Sequence, residues 1–193
     1  NSYTDHIIIN LPRVAYTWNS AAVQKQKNAH FLRGSLDFAG TLLRWYDERT
    51  GAPLSTDSTG ASFFEFNDIR FAEYVKLDLD YRFYHRIHDR SSIAFRFAPG
   101  VAKPLVNQSA MPFETSFFSG GANGMRAWRA RSLGPGSYQS QTNNFDRIGE
   151  VRIEGNVEYR FKLVGYLEGA LFTDVGNIWS LQENSAKPDG QFK

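Results

Sequence analysis

The sequence predicts an all-β fold: a portion of an antiparallel transmembrane β-barrel, with about six strands. Three observations lead to this prediction. Long segments alternate between apolar and polar residues, the connections between them are short and long in turn, and aromatic residues lie at both ends of the last two segments. No segment shows the periodicity of an amphipathic helix, and no apolar run approaches the roughly 20 residues that a membrane-spanning helix needs.

The clearest strand prediction covers residues 151–163. Its odd positions are all apolar or Gly, and its even positions are all charged or Asn. Because successive side chains of a strand point to opposite faces, one face of this strand is apolar and the other is polar. The same alternation, cleaner in some segments than in others, predicts six strands at residues 6–18, 28–46, 70–86, 90–103, 148–163 and 166–179.

The connections between the predicted strands have two lengths. Those at 19–27, 87–89 and 163–165 are short, whereas those at 47–69 and 104–147 are long and rich in Gly, Ser, Thr, Asn and Pro. Outer-membrane barrels have long loops at one end and tight turns at the other. A soluble β-sandwich or a lipocalin-like barrel, as a soluble β-sheet binding module, remains the alternative from pattern alone, since alternation indicates only a sheet with two unlike faces.

Composition excludes several classes of site. The net charge of +2 does not indicate a polyanionic partner such as nucleic acid. The absence of cysteine excludes disulfides and thiolate metal sites. The chain begins at Asn1 rather than Met and ends within a pattern, so we expect residues 1–193 to be one partial barrel domain of a larger protein.

Candidates for catalysis and metal binding are weak. His85 and His88 have a spacing that suggests metal ligands, but no third ligand lies near them in sequence. We interpret the carboxylates on the predicted polar faces as neutralised by interleaved Lys and Arg rather than as an acid–base pair. They are Asp78, Asp80, Glu154 and Glu158. No Ser has the context of a nucleophile elbow. We expect no catalytic residues, no metal and no cofactor.

Three passages, in this order and spacing, carry a resemblance to a known family. The first, FFSGGANGMRAWRARSLGPGSY at 117–138, contains the Gly120-Gly121 turn and then Met125, Arg126, Ala127 and Trp128. The second is GEVRIEGNVEYRF at 149–161, and the third is GALFTDVGNIW at 169–179, with Phe172, Asp174 and Gly176. They resemble the sixth extracellular loop and the two following strands of the BamA/TamA outer-membrane assembly superfamily, with Ala127 where Gly is usual.

The resemblance implies a barrel of about sixteen strands, of which this chain carries about six, and a signature loop at about 104–147 that folds into the lumen. It implies that Arg126 meets Glu158 and Asp174, with Phe172 stacked on its guanidinium and Trp128 packed beside it. The alternation of side chains between the two faces of a strand adds a condition that is independent of the resemblance. Glu158 and Asp174 share a face only if the turn between their strands has an odd number of residues, or if a bulge intervenes.

The function that the resemblance implies is insertion of client β-barrel proteins, or protein translocation, in the outer membrane of a Gram-negative bacterium. Such a protein is not an enzyme. Its partners would be outer-membrane lipids, client or secreted proteins, periplasmic POTRA domains and assembly-complex subunits, with no POTRA domain within this chain. A two-partner-secretion transporter, or a barrel fused to a passenger, is the alternative within the same superfamily.

Overall fold

The computed structural model describes residues 7–20, 27–57, 60–138, 147–183 and 187–193. Ten strands and one helix lie in these ranges, and six of the strands are ten or more residues long. In chain order the elements are β1 (Asn10–Asn19), β2 (Asn28–Ala39), α1 (Thr41–Thr50), β3 (Ser55–Thr56), β4 (Ser62–Phe63), β5 (Glu65–Phe66), β6 (Ile69–Arg70), β7 (Tyr74–His88), β8 (Ser91–Pro104), β9 (Val151–Lys162) and β10 (Glu168–Trp179).

The six long strands form one antiparallel sheet in the order β1-β2-β7-β8-β9-β10. The four short strands make two small hairpins in the long connection between α1 and β7. The predicted antiparallel β-fold with six strands is therefore confirmed. The sheet is open among the described residues, with β1 and β10 as its edges. Parts of three predicted segments lie outside the described residues: residue 6 of the first strand, 21–26 of the first short connection and 139–146 of the signature loop.

The prediction that the second strand extends to residue 46, and that no segment is helical, was wrong. The strand β2 ends at Ala39, and α1 follows after a single residue. That residue, Gly40, has φ 70°, and a Cβ there would overlap the carbonyl oxygen of Ala72. A residue with a side chain rarely takes this conformation. Gly40 thus ends a strand that the alternation alone would continue.

The helix α1 ends at Thr50 and is capped by Gly51, which adopts φ 69° and donates its backbone N–H to the Asp47 carbonyl. A glycine in the left-handed conformation is the usual end of a helix. No helix in the described ranges is long and apolar enough to cross a membrane.

The two faces of the sheet differ as predicted. The apolar face carries exposed large side chains along its length, among them Val14, Tyr16, Trp18, Leu77, Phe97, Leu171 and Val175. The buried apolar cluster lies instead where the long loops cover the sheet, and includes Ala39, Tyr74, Ala102, Met111, Phe117 and Ile178. A wall of exposed apolar side chains is what a lipid-facing sheet presents.

Candidate functional site

The candidate site is the segment that follows β8, which crosses the polar face of the sheet. Within this segment, Phe117 pairs with Gly149 through two backbone hydrogen bonds of 3.0 and 2.9 Å. The ring of Phe117 lies on Gly100, where a Cβ would overlap it. Lys76 Nζ and the Arg152 guanidinium lie 4.4 and 5.0 Å from the ring centre. The missing side chain at Gly100 thus leaves room for the loop to rest on the sheet.

A tight turn at Gly120 and Gly121 directs the chain toward the wall. Their φ angles are 104° and 97°, which residues with a side chain rarely adopt. Gly121 donates its N–H to the Trp128 carbonyl at 2.9 Å, so residues 121–128 form a closed loop tip. A Cβ on Gly120 would overlap the Arg129 carbonyl oxygen. The close approach of the two legs of this tip therefore requires glycine.

The loop tip places Arg126 against the wall formed by β9 and β10. Its Nε and Nη2 donate to the two oxygens of Asp174 at 2.9 and 2.7 Å, and its backbone N–H donates to Asp174 Oδ2 at 3.0 Å. Its Nη1 donates to Glu158 Oε2. The guanidinium carbon lies 3.7 Å from the centre of the Phe172 ring. A planar guanidinium suits both tasks, since it forms paired bonds to carboxylates and stacks on aromatic rings.

The strand register brings these acceptors together. The turn between β9 and β10 covers residues 163–167, five residues, so Glu158 pairs with Phe172 and Asn156 pairs with Asp174. Five is an odd number, as the parity condition requires, although the predicted turn had three residues. Glu158 and Asp174 therefore lie on the same face of the sheet, on adjacent strands and two residues out of register.

Further polar residues hold the tip from below. Asn156 Nδ2 donates to the Gly124 carbonyl and to Asp174 Oδ1, both at 2.8 Å. Arg160 Nε donates to Glu158 at 2.6 Å. Arg160 uses the Glu158 oxygen that Arg126 leaves free, whereas Asn156 shares Asp174 Oδ1 with Arg126. Asn156 was not predicted as a site residue, although its place on the polar face of β9, two residues before Glu158, was a usable signal.

Glu154 forms a separate anchor closer to the start of the loop. Its carboxylate accepts the Ser119 hydroxyl at 2.7 Å and an Arg96 N–H at 3.3 Å, and the residue is buried. A Cβ on Gly124 would stand 3.1 Å from this carboxylate. Arg96 also contacts Asp80 at 2.9 Å, which links the anchor to β7. The carboxylates of the polar face are thus paired with cations, as the sequence analysis interpreted them.

The remaining predicted signature residues occupy different environments. Met125 is buried, whereas Ala127 is exposed and has an ordinary negative φ, so the usual Gly is not required at this position. Trp128 is 47% exposed, and the ring that stacks on Arg126 is that of Phe172. That Trp128 packs beside the Arg126 guanidinium stays a prediction.

Arg131 makes a second aromatic contact that the sequence left undecided. Its guanidinium lies 4.8 Å from the centre of the Phe113 ring and 4.6 Å from that of Phe118. Its φ is 59°, in the left-handed region. Past it, Gly136 donates its N–H to the Ile178 carbonyl at 2.7 Å and accepts from Asn177 at 2.8 Å. The returning leg of the loop is therefore bound to the end of β10.

A polar cavity of about 490 Å³ lies between the loop tip and the wall. It is lined by cationic and polar groups, including Arg82, Arg96, Arg126, Glu158 and Arg160. Within the described residues no group of three or more His, Asp or Glu side chains is placed to hold a metal ion. His85 hydrogen-bonds to Asn28 at 2.6 Å across the sheet.

Comparison with known proteins gives one family. A family model described as an Omp85 superfamily domain matches residues 35–193, which include four of the six long strands in full, the end of β2 and the whole loop. Comparison with curated protein sequences gives no significant match.

Proposed function

This chain belongs to the Omp85 superfamily, whose members are non-enzymatic outer-membrane proteins that insert or translocate other proteins, and we propose that it is part of a barrel of the BamA/TamA type. In this proposal the chain supplies a portion of the barrel wall together with the loop that docks on its inner face. Client β-barrel or secreted proteins would be its substrates. POTRA domains and assembly-complex subunits would be contributed from outside residues 1–193.

One observation carries the proposal: Arg126 is held by Asp174, by Glu158 and by the Phe172 ring, on two adjacent strands. A docked ion pair of this kind is weak support for overall stability, because the desolvation of its charges offsets their attraction. It does fix a single position, since the fork of the guanidinium accepts only one arrangement of partners. Its proposed role is to hold the loop in one place in the lumen.

The docked loop also ties β8, β9 and β10 together from inside. Phe117 rests on Gly100 of β8, Ser119 bonds Glu154 of β9, and Arg126 bonds Asp174 of β10. We propose that this part of the wall stays closed while the barrel works. Strand separation would then be confined to a seam elsewhere in the barrel, where an exposed strand edge can pair with the edge of a client strand.

The test is Arg126→Ala in the intact protein, reconstituted in liposomes and assayed for insertion of a client barrel. We expect a folded barrel, a loop tip that exchanges its amide hydrogens faster, and impaired insertion. Arg129→Ala is the matched control, because Arg129 lies on the same loop and is exposed. Wild-type insertion by Arg126→Ala would overturn the proposal. Impaired secretion of a partner protein with normal client insertion would favour the secretion-transporter alternative.

A further inference from the structure

The helix α1 presents an exposed side that the docked loop does not use. Leu42, Trp45 and Tyr46 are 48%, 63% and 59% exposed, and Arg49 is exposed beside them. Their spacing of three, four and seven residues places all four on one side of an α-helix. A short helix with this many exposed apolar side chains on one side requires an explanation, because exposed apolar surface of this kind marks a contact with another molecule or a membrane.

The opposite side of α1 is fixed to the rest of the protein. Arg44 contacts Glu73 at 3.3 Å, and Glu73 also accepts the Asn107 backbone N–H at 2.9 Å. Asp47 is buried on the same side. These contacts determine the rotation of the helix about its own axis. Leu42, Trp45 and Tyr46 therefore point outward as a consequence of how the helix is held.

The exposed side is continuous with the apolar face of the sheet. Leu42 and Leu43 line one small apolar cavity together with Ile9 and Leu11, and Leu11 is a β1 residue with 55% of its surface exposed. The helix begins two residues after the last residue of β2. About 9–11 tilted strand residues cross the hydrocarbon core, so a strand of 12 residues ends near the membrane surface. The helix thus starts at the level of the lipid headgroups.

The geometry points to a lipid surface as the partner: we propose that α1 is an interfacial anchor on the outer side of the membrane. Leu42, Trp45 and Tyr46 lie between the headgroups and the acyl chains, where Trp and Tyr are enriched. Arg49 reaches the lipid phosphates, as basic residues of interfacial helices do. The inference goes beyond the proposed function and rests on it in one respect, namely that the sheet is embedded in the outer membrane.

The experiment uses tryptophan fluorescence in the intact protein, with every tryptophan but one replaced by Phe. Each version is reconstituted in liposomes with phospholipids brominated near the headgroup end of the acyl chains. We expect Trp45 to be quenched to an extent similar to Trp18, which is 44% exposed on the apolar face. Trp128, on the loop tip of the polar face and 47% exposed, is expected to keep its emission.

Each other outcome overturns the proposal in a recognisable way. Quenching of Trp18 but not of Trp45 would leave the membrane location of the barrel standing and remove α1 from the lipid. If Trp45 then emitted as a buried residue, other loops of the barrel would be its cover. If the emission of Trp45 changed with the protein-to-lipid ratio, a second copy of the protein would be the cover of α1. Loss of quenching at both Trp18 and Trp45 would contradict the membrane location itself.

A pair of substitutions tests whether the exposed side as a whole is responsible. Tyr46→Gln removes an apolar ring from that side, and we expect weaker quenching of Trp45. Glu48→Gln changes the adjacent part of the helix that contacts Arg44 at 2.8 Å, and we expect no change in quenching. Equal quenching of Trp45 in both variants would mean that Trp45 contacts lipid although the helix does not lie on the membrane surface, which contradicts an interfacial anchor.

Discussion

Arg126 and Asp174, 48 residues apart in the chain, are joined by two guanidinium hydrogen bonds and one backbone hydrogen bond. The backbone bond matters because it makes Asp174 a cap for the turn as well as a partner for the charge. The carboxylate therefore specifies both where the side chain goes and how the main chain of the loop tip is oriented. Glu158, by contrast, contacts only the guanidinium and is shared with Arg160.

This difference predicts unequal effects for the two carboxylates. Asp174→Asn removes the charge from the less exposed partner, and we expect it to weaken loop docking by about 3 kcal/mol, at the low end for breaking a buried ion pair. Glu158→Gln should cost about 1 kcal/mol, the size of an ordinary hydrogen bond. Amide hydrogen exchange of residues 117–132 measures both. Glu168→Gln, at an exposed ion pair of 3.9 Å, is the control. Equal losses would contradict the capping role of Asp174.

The substitution Arg126→Lys separates charge from shape. An ammonium keeps the positive charge but cannot bond both oxygens of Asp174 in a plane while reaching Glu158. We expect the loop tip to be released nearly as far as in Arg126→Ala, and client insertion to fall with it. The double variant Arg126→Lys with Asp174→Asn should lose less than the sum of the two single variants, because they disrupt one shared contact. Additive losses would show that the residues act independently.

Much of the fold follows from the alternation, which directly reports which side of a strand each residue lies on. The six long strands could be predicted in this way, whereas the shared face of Glu158 and Asp174 could be predicted only on the condition that the turn between their strands has an odd number of residues. The helix α1 could not, since Leu36, Phe38, Gly40 and Leu42 continue the alternation past the point where the chain turns. The turn depends on a close approach between Gly40 and Ala72, a contact between residues distant in sequence that a local pattern does not contain.

The site was partly predictable for a similar reason. Arg126, Phe172 and the two carboxylates follow from the resemblance together with strand parity. The pairing of Arg131 with two Phe rings depends on the course of an irregular loop. Loops have no periodicity from which the orientation of a side chain can be read.

Substitution of the two glycines at the start of the loop tip, Gly120 and Gly121, is expected to loosen the tip to different extents. Gly120→Ala adds a Cβ that overlaps the Arg129 carbonyl oxygen, at φ 104°. Gly121→Ala has a similar φ of 97°, but its nearest neighbour, the Ala130 Cβ, lies at 3.5 Å, an ordinary contact distance. A left-handed conformation costs an alanine roughly 1–2 kcal/mol, so both variants should loosen the tip and Gly120→Ala should loosen it more. Hydrogen exchange at 117–132 is the measurement, and the reverse ranking would contradict the structure.

Arg131 should hold the returning leg of the loop more weakly than Arg126 holds its tip. Contacts of a cation with an aromatic face contribute roughly 0.5–1 kcal/mol at partly exposed sites. Arg131→Asn removes both Phe contacts and tolerates the left-handed φ. We expect faster proteolysis around residues 129–133, with Arg126 still docked and client insertion close to wild type. Arg129→Asn is the matched control. Release of the loop tip in Arg131→Asn would show that the two contacts are coupled.

The buried carboxyl of Asp47 predicts a pH dependence for α1. Asp47 is 8% exposed, and its Oδ2 lacks a hydrogen-bond partner among the described residues. Burial raises the pKa of Asp47, which lies outside the membrane-spanning strands. A raised pKa means that the folded state binds the proton more tightly than the unfolded state. The stability that this group contributes is therefore full below its unfolded pKa of about 3.9 and is lost as the pH rises through the folded value.

The helix should accordingly be better protected near pH 4 than near pH 7. Asp47→Asn removes the ionisable group, so the protection of residues 41–50 should lose this dependence and increase at neutral pH. Hydrogen exchange corrected for the intrinsic effect of pH is the measurement. Glu48→Gln, at a side chain that is 51% exposed, is the control and should keep the wild-type dependence. If the protection of the helix from hydrogen exchange rose with pH both in the wild type and in Asp47→Asn, groups other than Asp47 would control its docking.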